Sequence, residues 1–156
     1  MDIEIRNAIY DDKDVLNGML EKLIKYEKEL YGINVKDNFK ITSFFDIKLI
    51  ETNSIVLVAC YNNTIIGYIY AYIDYTNKLV QDYEAFINTL YIEPDFRNKK
   101  VGTSLIEKLC EILKTKNIKY ISVDNIYGNI EARSLYEKMG FKIFKENRRK
   151  EILWKY

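Results

Sequence analysis

Apolar residues recur at three- and four-residue spacing in several parts of the chain, and each such stripe predicts an amphipathic helix. The first predicted helix begins near residue 12 and ends at Gly32. A second helix, whose start is less clearly marked, is expected within residues 35–52. Two further helices are predicted at about 100–116 and 130–139.

Other segments are rich in β-branched and aromatic residues, and these predict strands. The predicted strands are 3–6, 54–61, 64–73, 84–92, 119–123, 141–144 and 151–154. Asn62 and Asn63 tolerate the left-handed backbone of a tight turn, so they join the second and third strands into a β-hairpin. The order of elements predicts an α+β fold (α/β three-layer), with a mixed, mainly antiparallel central sheet and helices on both faces.

The length and composition favour an ordinary globular protein. A chain of 156 residues is expected to form a single domain, 1–156. No apolar run approaches the roughly 20 residues that cross a bilayer, and the first residues do not resemble a signal peptide. We therefore expect a cytoplasmic protein that does not contact membranes.

The sequence contains no histidine, which narrows the catalytic chemistry. Ser-His-Asp and Cys-His nucleophilic sites are excluded, and so are the common histidine zinc sites. Cys60 lies in an apolar run and Cys110 in a helical pattern, so both are interpreted as core residues, and no metal site is expected. A catalytic mechanism has to use carboxylates, tyrosine, lysine or backbone groups.

Basic residues cluster immediately before the third predicted helix. Arg97, Lys99 and Lys100 precede the small residues Gly102, Thr103 and Ser104. A helix N-terminus offers free backbone N–H groups and the positive end of the helix dipole, so this segment suits a phosphate or diphosphate. From charge alone, a solvated surface loop remains the alternative interpretation.

Two motifs in the second half of the chain resemble those of the GNAT superfamily of acetyl-CoA-dependent N-acyltransferases. The segment Pro94–Gly102 is similar to the diphosphate loop of that family, although Lys100 stands where the family usually has its first glycine. If this position requires a left-handed backbone, lysine costs roughly 1 kcal/mol or more there. The second motif is intact and consists of Asn129, Ala132, Leu135, Tyr136, Gly140 and Phe141.

The resemblance implies a cofactor site and a general acid. Tyr136 would give a proton to the CoA thiolate, and a phenol with a pKa of about 10 suits this donation. The residues implied in binding acetyl-CoA are Leu90, Tyr91, Ile92, Arg97, Asn98, Lys99, Lys100, Val101, Gly102, Thr103, Asn129, Ala132 and Tyr136.

The general base is left open by the sequence. Asn88 occupies the strand position where many relatives carry a glutamate, and an amide cannot act as a base. Glu84 and Asp124 are the candidates, with Glu93 as a further carboxylate, and deprotonation of the amine in solvent is the alternative.

The predicted function is transfer of an acetyl group from acetyl-CoA to a primary amine by direct attack in a ternary complex. The excess of acidic residues in 74–95 suggests a cationic acceptor. A catalytically silent CoA-binding regulatory module is the alternative, because of Lys100 and Asn88. The basic run Arg148–Lys150 lacks interleaved aromatic residues, so nucleic acid is not expected as a partner, whereas a homodimer is compatible with the sequence.

Overall fold

The computed structural model of the protein describes residues 1–153. Its five strands are β1 (Glu4–Asn7), β2 (Ser54–Tyr61), β3 (Thr64–Asp74), β4 (Glu84–Ile92) and β5 (Tyr120–Val123). Its α-helices are α1 (Lys13–Tyr31), α2 (Phe44–Lys48), α3 (Val101–Thr115) and α4 (Ile130–Lys138). None of the helices in this part of the chain is long and apolar enough to cross a membrane.

The strands form one mixed sheet in the order β1-β2-β3-β4-β5. The first three pairs are antiparallel, and β5 lies parallel to β4. Asn62 and Asn63 connect β2 to β3 with φ angles of 49° and 61°, as expected for a tight turn. The predicted α+β fold with a mixed, mainly antiparallel sheet is therefore confirmed.

Helices cover both faces of the sheet, and each face has its own apolar core. On one face α3 buries Val101, Leu105 and Leu109 against Ile69 and Ala71 of β3. The other core is formed under α1 and α2 and includes Leu16, Met19, Leu20, Phe45, Val56, Val58, Tyr68 and Tyr70. The residues of α1 in this core follow the helical spacing that predicted it.

A β-bulge on β4 determines where a ligand can enter the sheet. Thr89 pairs with Tyr70 and Ile87 pairs with Ala71, so Asn88 is an extra residue on β4. The pairing of β4 with β5 ends at the same point, since Ile87 opposite Val123 is its last pair. The two parallel strands therefore separate from Asn88 onward.

The two closing strands are not formed, and this prediction was wrong for the residues that the structure describes. Residues 141–144 and 151–153 have no regular structure, and residue 154 lies outside the described residues. The chain leaves α4 through Gly140, which has a φ of 88°, and Ile143 and Phe144 are then 87% and 81% exposed. Alternation reports which side chains share a face, but a strand forms only when its backbone also pairs with another strand, and residues 141–144 pair with none of the five strands.

Candidate functional site

The separation of β4 from β5 leaves a gap in the sheet, lined by backbone. Among the described residues, the segment 88–92 of β4 has no strand partner on the side of β5. Residues of a strand direct their N–H and C=O groups alternately to its two sides, so part of this segment offers free hydrogen-bonding groups to the gap. Leu90, Tyr91 and Ile92, which the sequence assigned to the cofactor, lie on this open edge.

The loop before α3 forms the second part of the site. Asn98 and Lys100 both have left-handed backbones, with φ angles of 58° and 63°. The N–H groups of Val101, Gly102 and Thr103 precede the first intrahelical bond, which runs from the N–H of Ser104 to the carbonyl of Lys100 at 3.0 Å. No side chain caps these groups and no acidic residue lies in the first turn, so this end of α3 attracts an anion.

Two of the three cations in this loop are bound to the protein itself. Arg97 donates through Nε to the carbonyl of Ile92 at 3.0 Å, and its guanidinium carbon lies 5.2 Å from the ring centroid of Tyr26. Lys99 donates to the carbonyl of Asp95 at 2.8 Å. Lys100 is exposed and, within residues 1–153, has no ion-pair partner, so it is the cation best placed to meet a ligand.

α4 contacts the start of α3 through Leu135. Asn129 caps α4, because its Oδ1 accepts a hydrogen bond from the N–H of Ala132 at 3.1 Å. A Cβ built on Gly102 would lie 3.2 Å from Leu135 and 3.8 Å from Leu90, so the lack of a side chain at Gly102 allows α3, α4 and β4 to meet. The second motif is thereby held beside the loop that precedes α3.

Tyr136 of α4 is 8% exposed, and its ring packs on Phe141 with the two ring centroids 5.4 Å apart. Its hydroxyl makes no hydrogen bond with any described residue, and it is not sealed from solvent. Burial, and secondly the charge of Glu27, raise the pKa of Tyr136 to about 12. This phenol therefore remains protonated and is available to donate to a ligand.

The two carboxylates that the sequence proposed as bases lie in different places. Glu84 begins β4 in the closed part of the ladder, opposite Tyr120, and accepts a hydrogen bond from Ser122. Asp124 follows β5 directly, where that strand leaves β4, and is exposed. The structure therefore does not bring Glu84 to the gap, whereas Asp124 lies at its rim.

Sequence reasoning missed Glu27 of α1. This residue is partly buried, and burial raises its pKa above the ordinary value for glutamate. Burial raises the pKa of Tyr31, Tyr68 and Tyr136, and the charge of Glu27 adds to the rise in each. The signal was present in the sequence, because Glu27 follows Leu16, Leu20 and Leu23 at helical spacing and interrupts an apolar stripe with a carboxylate.

Two buried hydroxyls lie in the same region of the sheet. The Tyr68 hydroxyl and the Thr89 hydroxyl are both inaccessible to solvent and lie close to each other: burial raises the pKa of Tyr68, and a hydrogen bond with Thr89 opposes that rise. Tyr68 is on β3, and Thr89 is the residue that follows the bulge on β4. The two hydroxyls therefore serve as partners for each other across the β3–β4 pair and do not by themselves indicate a ligand site.

An open depression of about 360 Å³ reaches the bulge from the side of α2. It is lined by Phe44, Lys48, Glu51, Asn53, Tyr70, Tyr72 and Asn88. Lys48 and Glu51 form an ion pair at 3.0 Å across its rim. The gap is thus approached by α3 on one face of the sheet and by this depression on the other.

Comparison with known protein families gives one match that covers most of the chain. The model of the acetyltransferase (GNAT) family matches residues 19–141. N-alpha-acetyltransferase 30 of Dictyostelium discoideum is 32% identical over 66 residues, which are 42% of this chain and 35% of that protein. The spore coat polysaccharide biosynthesis protein SpsD of Bacillus subtilis (strain 168) is 28% identical over 54% of this chain and 27% of its own length. The chain therefore spans about a third of the length of these curated relatives.

Solved structures share the fold over nearly the whole chain. The mutant F44R BH1408 protein from Bacillus halodurans has a TM-score of 0.88 at 19% identity, covering 96% of this chain and 99% of that one. An aminoglycoside acetyltransferase from an uncultured soil metagenomic sample has a TM-score of 0.73 at 16% identity, covering 98% and 97%. AAC(6')-Iy, in complex with the bisubstrate analog CoA-S-monomethyl-acetylneamine, has a TM-score of 0.69 at 19% identity, covering 96% and 100%.

Proposed function

The chain belongs to the GNAT acetyltransferase family, and on this premise we propose that it is an N-acetyltransferase that moves the acetyl group of acetyl-CoA to a primary amine. The observation that carries the proposal is the gap between β4 and β5. It combines a free strand edge, the uncapped start of α3 and the Tyr136 hydroxyl, which has no partner among the described residues.

Acetyl-CoA fits the chemistry of these groups. The N–H groups of residues 101–103 and the ammonium of Lys100 would hold its diphosphate. The free edge at 89–92 would hold the pantetheine arm and acetyl carbonyl by backbone hydrogen bonds. The amide nitrogen of Asn129, whose oxygen is already used for capping, remains able to donate to the arm from the other side.

The cosubstrate supplies an acetyl group activated as a thioester, and Tyr136 supplies the proton that the sulfur needs on leaving. The Tyr136 phenol, with a pKa of about 12, is a weaker acid than the CoA thiol, for which a pKa of about 8.5 is typical. Proton donation by Tyr136 is therefore downhill only if the phenol regains a proton from the amine nitrogen at the same time. Tyr136 then acts as a relay between nitrogen and sulfur, and no covalent enzyme intermediate is required.

We propose a cationic amine as the acceptor class, entering from the side of α2. The depression there is lined by Asn88 and by the rings of Phe44, Tyr70 and Tyr72; the Lys48 ammonium already lies 5.6 Å from the centroid of Phe44, so Tyr70 and Tyr72 are the rings left to attract a cation. Two proteins that share this fold support the proposal: one is named an aminoglycoside acetyltransferase, and AAC(6')-Iy binds a bisubstrate analog that joins CoA to acetylneamine. We also propose that residues 1–156 act as one domain.

The catalytically silent CoA-binding module is the second candidate, because Asn88 offers no base and Lys100 is strained. Release of free thiol from acetyl-CoA with a panel of amines, followed for the protein and for Tyr136→Phe, separates the two. We expect turnover that falls roughly 10²-fold in Tyr136→Phe, with unchanged affinity for CoA. Tyr127→Phe is the matched control, because Tyr127 is 83% exposed. Tight binding of CoA without thiol release for any amine would establish the silent module instead.

A further inference from the structure

We propose that Glu27 is the general base that takes the proton from the attacking ammonium group. This inference deepens the proposed function and rests on it. It supplies the residue that Asn88 cannot supply, and it comes from a helix on the opposite face of the sheet from α3.

The first support is the helical face on which Glu27 lies. Leu16, Leu20 and Leu23 of α1 point to the sheet, and the first two are 0% and 4% exposed. Glu27 comes four residues after Leu23 and seven after Leu20, so it continues the same face at 3.6 residues per turn. Glu29, two residues further along the helix, is exposed. An acid on the buried face of a helix is uncommon and calls for a partner or a function.

The second support is what this half of α1 covers. Lys22 forms an ion pair with Glu93 at 2.6 Å, just beyond the end of β4. Tyr31 approaches the loop before α4, since a Cβ built on Gly128 would lie 3.6 Å from its ring. Glu27 lies between these two contacts along the helix. The carboxylate therefore projects toward the sheet between the end of β4 and the start of α4, which is where the gap opens.

The third support is electrostatic. Burial is the main cause that raises the pKa of Tyr31 of α1, Tyr68 of β3 and Tyr136 of α4, and the charge of Glu27 adds to the rise in each, so Glu27 lies within electrostatic reach of phenols from three elements. Within residues 1–153 it has no hydrogen-bond or ion-pair partner, and burial alone raises its pKa. Tyr136 belongs to the core under α3 and Tyr68 to the core under α1, so the charge of Glu27 reaches phenols on both faces of the sheet.

The proton balance of the reaction then closes with two residues. Glu27 takes one proton from the ammonium and later releases it to solvent, so the nitrogen has a free electron pair. That pair forms the C–N bond, and the C–S bond breaks with its electrons on sulfur. Tyr136 gives its proton to sulfur and regains one from the nitrogen, so the products are the amide and the free thiol.

The test compares kcat/KM for Glu27→Gln, Glu27→Asp and the control Glu29→Gln across pH, with the best amine from the panel. Near neutral pH we expect Glu27→Gln to lose roughly 10²-fold and Glu27→Asp to lose less, with Glu29→Gln unchanged. The defect of Glu27→Gln should shrink steadily as pH approaches the pKa of the amine, about 10.4 for a lysine-like acceptor, because solvent then supplies the free amine. A defect that stays constant with pH would show that Glu27 only shapes the site, and no defect would exclude it.

Thermal unfolding provides a readout that does not depend on turnover. The folded-state pKa of Glu27 is raised, so its ionised form destabilises the folded protein once pH exceeds that pKa. Glu27→Gln should therefore unfold at a higher temperature than wild type near neutral pH, and the difference should disappear in acid. A lower unfolding temperature would mean that Glu27 is a structural residue. Absence of turnover in the wild type would instead refute the proposed function, and the gain in stability would still be expected.

Discussion

Lys100 occupies a backbone conformation that favours glycine, and replacing it tests both the fold and the cofactor site. Its φ of 63° and ψ of 13° are left-handed. A residue with a side chain loses about 1–2 kcal/mol in that conformation. Glycine avoids this loss but gives up roughly 0.5–1 kcal/mol of backbone entropy on folding. We therefore expect Lys100→Gly to stabilise the protein by about 0.5–1 kcal/mol.

The matched control is Lys100→Ala, which removes the same ammonium but keeps the left-handed strain. Chemical denaturation should place the midpoint of Lys100→Gly above that of wild type and that of Lys100→Ala at or below it. In a protein of this size the gain corresponds to roughly 1–4 °C in the melting temperature.

Affinity for CoA separates the two roles of the residue. Both variants lose the cation that would face the diphosphate, so both should bind CoA more weakly, and the loss should diminish at high salt. If Lys100→Gly is no more stable than Lys100→Ala, the left-handed conformation carries no measurable strain. If both variants bind CoA as wild type does, Lys100 does not contact the diphosphate.

Two further outcomes follow from other parts of the chain. Arg6 donates hydrogen bonds to Asp12 at 2.8 and 3.1 Å, and these hold the pKa of Asp12 below its usual range although burial opposes them. The ionised carboxylate therefore stabilises the fold above the unfolded-state pKa of Asp12, and this stabilisation is lost as pH falls through its folded-state pKa. Asp12→Asn should cost about 1–3 kcal/mol in urea unfolding near neutral pH and much less in strong acid; an equal cost at both would contradict this. The exposed apolar side chains of Ile143 and Phe144 predict that the protein forms a homodimer through residues 141–153. Light scattering should give the mass of a dimer for wild type and of a monomer for Phe144→Glu, and a monomeric wild type would refute the homodimer.

The mechanism places its acid and its proposed base on opposite faces of the sheet. Tyr136 belongs to the core of α3, and Glu27 belongs to the face covered by α1. A continuous sheet would separate them, because paired strands leave no path between the faces. At the bulge of Asn88 the pairing of β4 with β5 ends and a gap opens between the two faces. Asn88 cannot itself be the base, but it lies where Glu27 can act across the sheet.

The order of the elements was determined by the sequence itself. Helical spacing located α1, α3 and α4, and the pair Asn62-Asn63 located the hairpin turn, because these signals depend only on neighbours along the chain. The motif around Tyr136 and the family that it implies were also readable, since they are patterns of residue type at fixed spacing. The sequence raised a left-handed backbone at Lys100 only as a condition, and the structure shows it with a φ of 63°.

Tertiary structure decided the features that depend on pairing between distant segments. Alternation of side chains does not reveal an extra residue such as Asn88, because a bulge is defined only by its partner strand. It also could not show that residues 141–144 pair with none of the five strands. The role of an acid depends on what its helix face covers: helical spacing placed Glu27 on the apolar stripe of α1, but only packing against the sheet showed that it is partly buried and that its charge reaches Tyr136.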